Sequence, residues 1–76
     1  MEYFERMRNI RDDADETQQN IADYLKITRQ QYQLYESGKR IIPLDLLQVF
    51  CAHYKVSSDY ILGLPKGLKW PNETGR

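Results

Sequence analysis

The chain has 76 residues, which is enough for one domain with a single modest core. Hydrophobic residues make up 41 % and charged residues 29 % of the sequence, a balance that excludes an intrinsically disordered chain. The 11 basic and 11 acidic residues cancel, no apolar run reaches the roughly 20 residues that span a bilayer, and the single cysteine cannot form an intrachain disulfide.

The first predicted element is a helix over residues 2–13, and Phe4, Met7, Ile10 and Ala14 recur along it at three- and four-residue steps. This spacing places the four side chains on one face, which we expect to be the buried side. The N-terminal residues hold no apolar stretch of the kind found in signal peptides, so we expect a cytoplasmic protein.

Two further helices are predicted over residues 17–26 and 28–36. The Thr17 hydroxyl can cap the first of them, and Thr28 with Gln31 matches the Thr-x-x-Gln capping box of the second. Only Ile27 separates the two helices, and so short a turn makes them cross at a steep angle. The corner therefore presents the start of the third helix outward.

A fourth helix is predicted over residues 43–54 and a short fifth one over residues 59–62. Pro43 suits the first helical position, because its missing N–H group would be unpaired there. Gly63 ends the fifth helix, and the prolines and glycines of residues 65–76 leave no long helix in that tail. Since sustained apolar–polar alternation is lacking, the predicted fold is all-α, with one domain over residues 1–64.

The chain contains four motifs in a fixed order: TQQNIADYL at 17–25, ITR at 27–29, YESGKR at 35–40 and VSSDYILG at 56–63. Together they resemble the phage repressor/Cro-type (XRE-like) helix-turn-helix DNA-binding family. The resemblance implies a compact five-helix bundle with the helix-turn-helix at helices 2 and 3. It also implies a transcriptional regulator, often a dimer on two-fold-symmetric sites in double-stranded DNA.

The recognition helix of such a fold enters the major groove with its N-terminal residues first. Arginine can bind guanine through two hydrogen bonds, glutamine can bind adenine in the same way, and leucine can pack on a thymine methyl group. The expected base-contacting residues are Arg29, Gln30, Gln31, Gln33 and Leu34.

Phosphate contacts position a DNA-binding domain without reading the base sequence. The first turn of the second helix offers outward backbone N–H groups, and the resemblance assigns a phosphate contact to Gln18. Basic residues directly after the third helix can hold a second stretch of phosphates. The expected phosphate-contacting residues are Thr17, Gln18, Thr28, Ser37, Lys39 and Arg40.

The resemblance also implies a partly buried ion pair between Arg11 and Glu36, which would hold the third helix against the first. The sequence departs from the family at two positions outside the expected DNA face. Lys26 stands in the turn where the family usually has glycine, which adopts a positive φ without strain. Glu16 stands before the cap of the second helix, where the family tends to have an apolar residue.

The charges are unevenly distributed along the chain. Residues 1–25 hold seven acids and three bases, a net charge of −4, whereas residues 26–76 hold eight bases and four acids, a net charge of +4. Because salt screens charges beyond ~8 Å, a local basic excess matters more to a docked phosphate than the whole-chain sum. The alternative is that this segregation has no functional meaning in so short a chain.

We expect no metal, no cofactor and no catalytic site. Cys51 and His53 are two residues apart, which does not place both on one helix face, and further ligands are lacking nearby. Since no nucleophile–base arrangement is apparent, the chain is not expected to be an enzyme. The glycosylation sequon at Asn72 is discounted because no export signal accompanies it.

The predicted function is sequence-specific binding of double-stranded DNA as a small transcriptional regulator, in particular a repressor. One helix-turn-helix makes few base contacts, so we expect a homodimer on half-sites about one helical turn apart. The candidate dimer surface comprises Tyr60, Leu64, Leu68 and Trp70, although Trp70 could equally pack on its own core. The alternative function is a protein-interaction module that keeps the fold without binding DNA.

Overall fold

The computed structural model describes residues 1–65 together with 67 and 68, and within this part of the chain there are five α-helices and no strand. The predicted all-α, five-helix architecture is therefore confirmed. Trp70 and the sequon at residues 72–74 lie outside the described residues. The helices are α1 (Tyr3–Asp13), α2 (Gln18–Leu25), α3 (Arg29–Glu36), α4 (Leu44–Tyr54) and α5 (Ser58–Leu62).

Three helices begin at a hydroxyl that accepts a hydrogen bond from the first turn. The Thr17 and Thr28 hydroxyls each accept from the N–H group three residues further on, at 3.1 Å, and Ser57 accepts from Asp59 N–H at 3.0 Å. The Gln31 side chain also accepts from Thr28 N–H, so the predicted capping box is present. These local bonds satisfy backbone donors that have no partner inside the helix.

The turn between α2 and α3 is a Schellman motif. Lys26 adopts the left-handed conformation, with φ 61° and ψ 41°. Its N–H group donates to the carbonyl of Asp23 at 3.1 Å, and the N–H group of Ile27 donates to the carbonyl of Ala22 at 3.0 Å. A lysine therefore occupies the conformation that glycine adopts with less strain.

Each of the five helices contributes to one hydrophobic core. α1 packs on α3 and α5, α2 packs on α3 and α4, and α4 packs on α5. Ala14, which was expected to continue the apolar stripe of α1, is exposed because the helix ends one residue earlier. The buried core consists of Met7, Ile21, Ala22, Leu25, Tyr32, Ile42, Leu47, Phe50 and Ile61.

Side chains of α1 cover the ends of α3 and α5. Gly38 follows α3 with φ 81°, and a Cβ atom built on it would lie 2.6 Å from Cζ of the Phe4 ring. At the end of α5, Arg6 Nη1 donates to the carbonyl of Tyr60 at 3.1 Å and lies against Gly63. A side chain at position 38 would meet the Phe4 ring, whereas one at position 63 would meet only the flexible end of Arg6. These contacts join α1 to the ends of both helices.

We expect Lys26→Gly to raise the free energy of unfolding by up to about 1 kcal/mol. The left-handed conformation costs a residue with a Cβ atom roughly 1–2 kcal/mol, and the greater chain entropy of unfolded glycine offsets part of the gain. Urea denaturation would measure the change. Lys26→Ala is the matched control, because it removes the same charge but keeps the Cβ atom. The explanation is wrong if the glycine variant is no more stable than the alanine variant.

Candidate nucleic-acid interface

The outward face of α3 can be located from the residues that the helix buries. Tyr32 is fully buried and Glu36 is 7 % exposed, so both side chains point into the molecule. At about 100° per residue, positions 30 and 34 then lie on the opposite side of the helix and position 33 lies on its flank. Position 29 is closer to the buried side, but it is the first residue of α3 and is exposed there. Three of these side chains are exposed and the last is half-buried: Arg29, Gln30, Gln33 and Leu34.

Gln31 is also exposed, but its side-chain oxygen belongs to the capping box. Its Oε1 accepts from Thr28 N–H at 3.4 Å, while the Thr28 hydroxyl accepts from Gln31 N–H. The predicted base contact of Gln31 therefore competes with its role at the start of α3. Arg29, Gln30 and Gln33 form no such bond within the described part of the chain.

A buried network around the Glu36 carboxylate positions α3. Arg11 Nε donates to Oε2 at 2.8 Å and Arg11 Nη2 donates to Oε1 at 2.9 Å, a bidentate ion pair. Tyr32 donates its hydroxyl proton to Oε2 at 2.6 Å, and Gln18 Nε2 donates to Oε1 at 3.0 Å. The carboxylate thus connects α1, the first turn of α2 and α3.

The network is well shielded from water, and both oxygens of the Glu36 carboxylate accept hydrogen bonds. The Arg11 side chain is 11 % exposed and the Glu36 side chain 3 % exposed. Burial alone would raise the pKa of Glu36, but the hydrogen bonds from Arg11, Tyr32 and Gln18 outweigh it and lower that pKa below its ordinary value. The bond to Glu36 in turn raises the pKa of Arg11, so both groups stay charged at neutral pH.

Arg11 neutralises the charge of Glu36, so this acid does not offset the basic residues on the surface around α3. Glu36 is the one acid between residues 26 and 40, and it is buried against Arg11. The basic residues of the same segment are exposed and form no ion pair among the described residues. The surface around α3 is therefore basic, and its cations are Lys26, Arg29, Lys39 and Arg40.

The predicted phosphate-contacting residues lie in two places. Thr17, Gln18 and Thr28 stand at the starts of α2 and α3, where backbone N–H groups of the first turn point outward. Ser37 and the two basic residues at 39 and 40 follow the end of α3, where the Ser37 hydroxyl donates to a backbone carbonyl. Gln18 offers its backbone and the outer part of its side chain, because its amide already donates to the network.

Sequence reasoning missed a contact between Glu16 and His53. Glu16 Oε1 lies 3.0 Å from His53 Nε2, and the Tyr24 ring stacks on the imidazole with centroids 4.1 Å apart. This hydrogen bond lowers the pKa of Glu16. The polar pair joins the loop before α2 to α4, and Glu16 stands where the family tends to have an apolar residue. Nothing in the sequence links these two residues, which are 37 positions apart.

Most of the predicted dimer surface is exposed. Tyr60, Leu64 and Leu68 are 57 %, 46 % and 62 % exposed, and all three line one cavity of about 490 Å³ beside Arg6. The fourth predicted residue, Trp70, lies outside the described part of the chain. The three exposed side chains therefore form one apolar patch next to α5.

Neither a metal site nor a membrane span is found in the part of the chain that the structure describes. No three His, Cys, Asp or Glu side chains there are placed to hold one metal ion. None of the helices there is long and apolar enough to cross a bilayer. Cys51 is half-buried, and this burial raises the pKa of its thiol.

Comparison with known proteins gives one family and one curated relative. A family described as helix-turn-helix matches residues 7–61. An uncharacterized HTH-type transcriptional regulator, YobD of Bacillus subtilis (strain 168), is 37 % identical over 62 residues. That match covers 82 % of this chain and 55 % of the relative, so the chain spans just over half the relative's length. No solved structure matches the chain significantly.

We expect Glu36→Gln to lower the free energy of unfolding by about 3 kcal/mol at pH 7, because it leaves the buried charge of Arg11 without its partner. Urea denaturation would measure the loss. Asp13→Asn, which removes an exposed carboxylate at the end of α1, is the control and should change stability by less than about 0.5 kcal/mol.

Comparison of wild type with Glu36→Gln also tests the pKa of Glu36. Because that pKa is lowered on folding, its stabilising contribution is fully present above the unfolded value of about 4.3 and is lost as the pH falls through the folded value. The difference between wild type and Glu36→Gln should therefore shrink progressively as the pH falls below about 4.3. A difference that stayed constant over this range would contradict the assignment.

Proposed function

The chain belongs to the helix-turn-helix family, of the phage repressor/Cro type, and we propose that it binds double-stranded DNA as a sequence-specific transcriptional regulator. The observation that carries this proposal is the outward face of α3. An arginine and two glutamines stand exposed on a helix that the Glu36 network holds in one orientation. These residue types suit the edges of guanine and adenine in the major groove.

In this proposal α3 lies in the major groove and reads bases through Arg29, Gln30, Gln33 and Leu34, with Gln31 at the edge of the contact. The backbone at the starts of α2 and α3 and the basic loop after α3 hold phosphates on both sides of the groove. Occupation of the site would block access by other proteins, so we propose repression as the regulatory effect. The proposed chemistry is recognition without catalysis.

We further propose that the protein binds as a homodimer. One α3 helix contacts few base pairs, whereas two copies placed about 34–36 Å apart would contact two half-sites on one face of the duplex. The exposed apolar patch of Tyr60, Leu64 and Leu68 is the surface proposed for the contact between copies, and it is of the kind that marks interaction sites.

The DNA-binding proposal is tested by fluorescence anisotropy on a duplex obtained by selection from random DNA. Affinity should fall steeply with salt, with a log–log slope of about −0.9 for each phosphate contacted. Arg29→Ala should cost about 1–3 kcal/mol and relax the preference at one base pair, whereas Lys39→Ala should weaken all sequences alike. Arg8→Ala, which removes an exposed arginine from α1, is the control and should leave binding unchanged.

Two outcomes would contradict this proposal. Absence of duplex binding even at low salt would favour a protein-interaction module on the same fold. Wild-type affinity and base preference in Arg29→Ala would show that α3 does not read the sequence through this residue.

The dimer is tested by light scattering of the protein on and off a duplex with two half-sites. Leu64→Glu should abolish the dimer and weaken binding, because it places a charge in the apolar patch. Leu62→Glu is the matched control, since Leu62 is also 46 % exposed but lines a separate groove beside Leu44. If Leu62→Glu abolishes the dimer and Leu64→Glu does not, the interface lies at that groove instead.

A further inference from the structure

Leu34 is the apolar residue at the centre of the polar face of α3. It lies almost directly opposite the buried side of the helix, one turn after Gln30. Its half-buried side chain stands among exposed polar neighbours. Any ligand that covers the outward face of α3 must therefore also cover this leucine, or leave it in water.

The backbone of Leu34 is held firmly at the end of α3. Its carbonyl accepts a hydrogen bond from the N–H group of Arg40 at 3.1 Å and another from the Ser37 hydroxyl at 3.2 Å. Both bonds draw the following loop back against the helix. The loop that carries Arg40 is thus held beside the leucine.

A small cleft opens beside this leucine. It has a volume of about 160 Å³ and is lined by Gln31, Leu34, Tyr35 and Arg40. The space is several times the ~30 Å³ that one water molecule occupies in the liquid. A methyl group that projects from a base into the major groove would fit against the leucine at the mouth of the cleft.

The chemistry of a leucine limits what it can read on a base. It offers neither a donor nor an acceptor, so it cannot distinguish the O4 acceptor of thymine from the N4 donor of cytosine. It can respond to the C5-methyl group, which thymine carries and which 5-methylcytosine shares. Uracil and unmodified cytosine lack this methyl group and would leave the leucine uncovered.

We infer that Leu34 makes DNA binding depend on a pyrimidine 5-methyl group at one position, so that methylation of cytosine there strengthens binding. This inference rests on the proposed DNA-binding function and adds a modified base to its targets. Removal of one buried methyl group corresponds to about a three- to fivefold loss of affinity. Because one leucine side chain provides the contact, the effect is confined to one base position in each half-site.

The test uses the selected duplex, in which each thymine of the half-site is replaced in turn by uracil opposite adenine, or by cytosine or 5-methylcytosine opposite guanine. At one position, anisotropy should show an affinity about three- to fivefold lower with uracil than with thymine, and higher with 5-methylcytosine than with cytosine. Leu34→Ala should remove both differences. Leu34→Met should retain them, because methionine keeps the apolar contact.

Gln33→Ala is the matched control, since it alters a neighbouring exposed residue of α3 but leaves the leucine intact. It should lower affinity without changing the ratio between thymine and uracil. Equal affinity for thymine and uracil duplexes at all positions would overturn the inference and leave the proposed function standing. If the ratio between thymine and uracil persists in a folded Leu34→Ala variant, the inference is again overturned and the proposed function stands. Absence of any duplex binding would overturn both the inference and the proposed function.

Discussion

The carboxylate of Glu36 is the point at which three helices of this domain are joined. Placing a charge in the interior costs several kcal/mol unless opposite charge and hydrogen bonds compensate for it. Arg11 supplies the charge, and Tyr32 and Gln18 supply further donors, so both oxygens are satisfied. Apolar packing alone could let α3 slide or rotate by a small amount, whereas the three directed hydrogen bonds from Arg11 and Gln18 define its position along and around its axis.

The same arrangement explains how a chain with no net charge can present a basic surface. The pair between Arg11 and Glu36 takes one charge of each sign out of contact with water. Seven of the 11 acids lie in residues 1–25, outside the segment that holds α3. The whole-chain sum therefore says little about the surface that a ligand of α3 would meet, which is determined by four cations close to one helix.

The parts of the fold that sequence reasoning could predict are those with local causes. Thr17 and Thr28 mark helix starts because a hydroxyl reaches its own first turn, and the short turn at Ile27 follows from their spacing. The ends of α1 and α4, at Asp13 and Tyr54, also lie where the sequence predicts them. Asp15 and Lys55, which follow these ends, have a positive φ without being glycine. Local backbone bonds close both turns, from the N–H group of Glu16 to the Arg11 carbonyl and from the N–H group of Val56 to the Cys51 carbonyl.

Contacts between distant residues had to come from the structure, unless a family resemblance supplied them. The family resemblance predicted that an arginine on α1 pairs with Glu36. No local pattern predicted the hydrogen bonds that the Tyr32 hydroxyl and the Gln18 amide donate to the same carboxylate. The contact between Glu16 and His53 is also specific to the three-dimensional arrangement. Finally, the ring of Phe4 fills the space that a side chain at position 38 would need. Because Gly38 also has a φ of 81°, position 38 is constrained both by its backbone and by Phe4. Related sequences with another residue at 38 should therefore carry a smaller residue at 4.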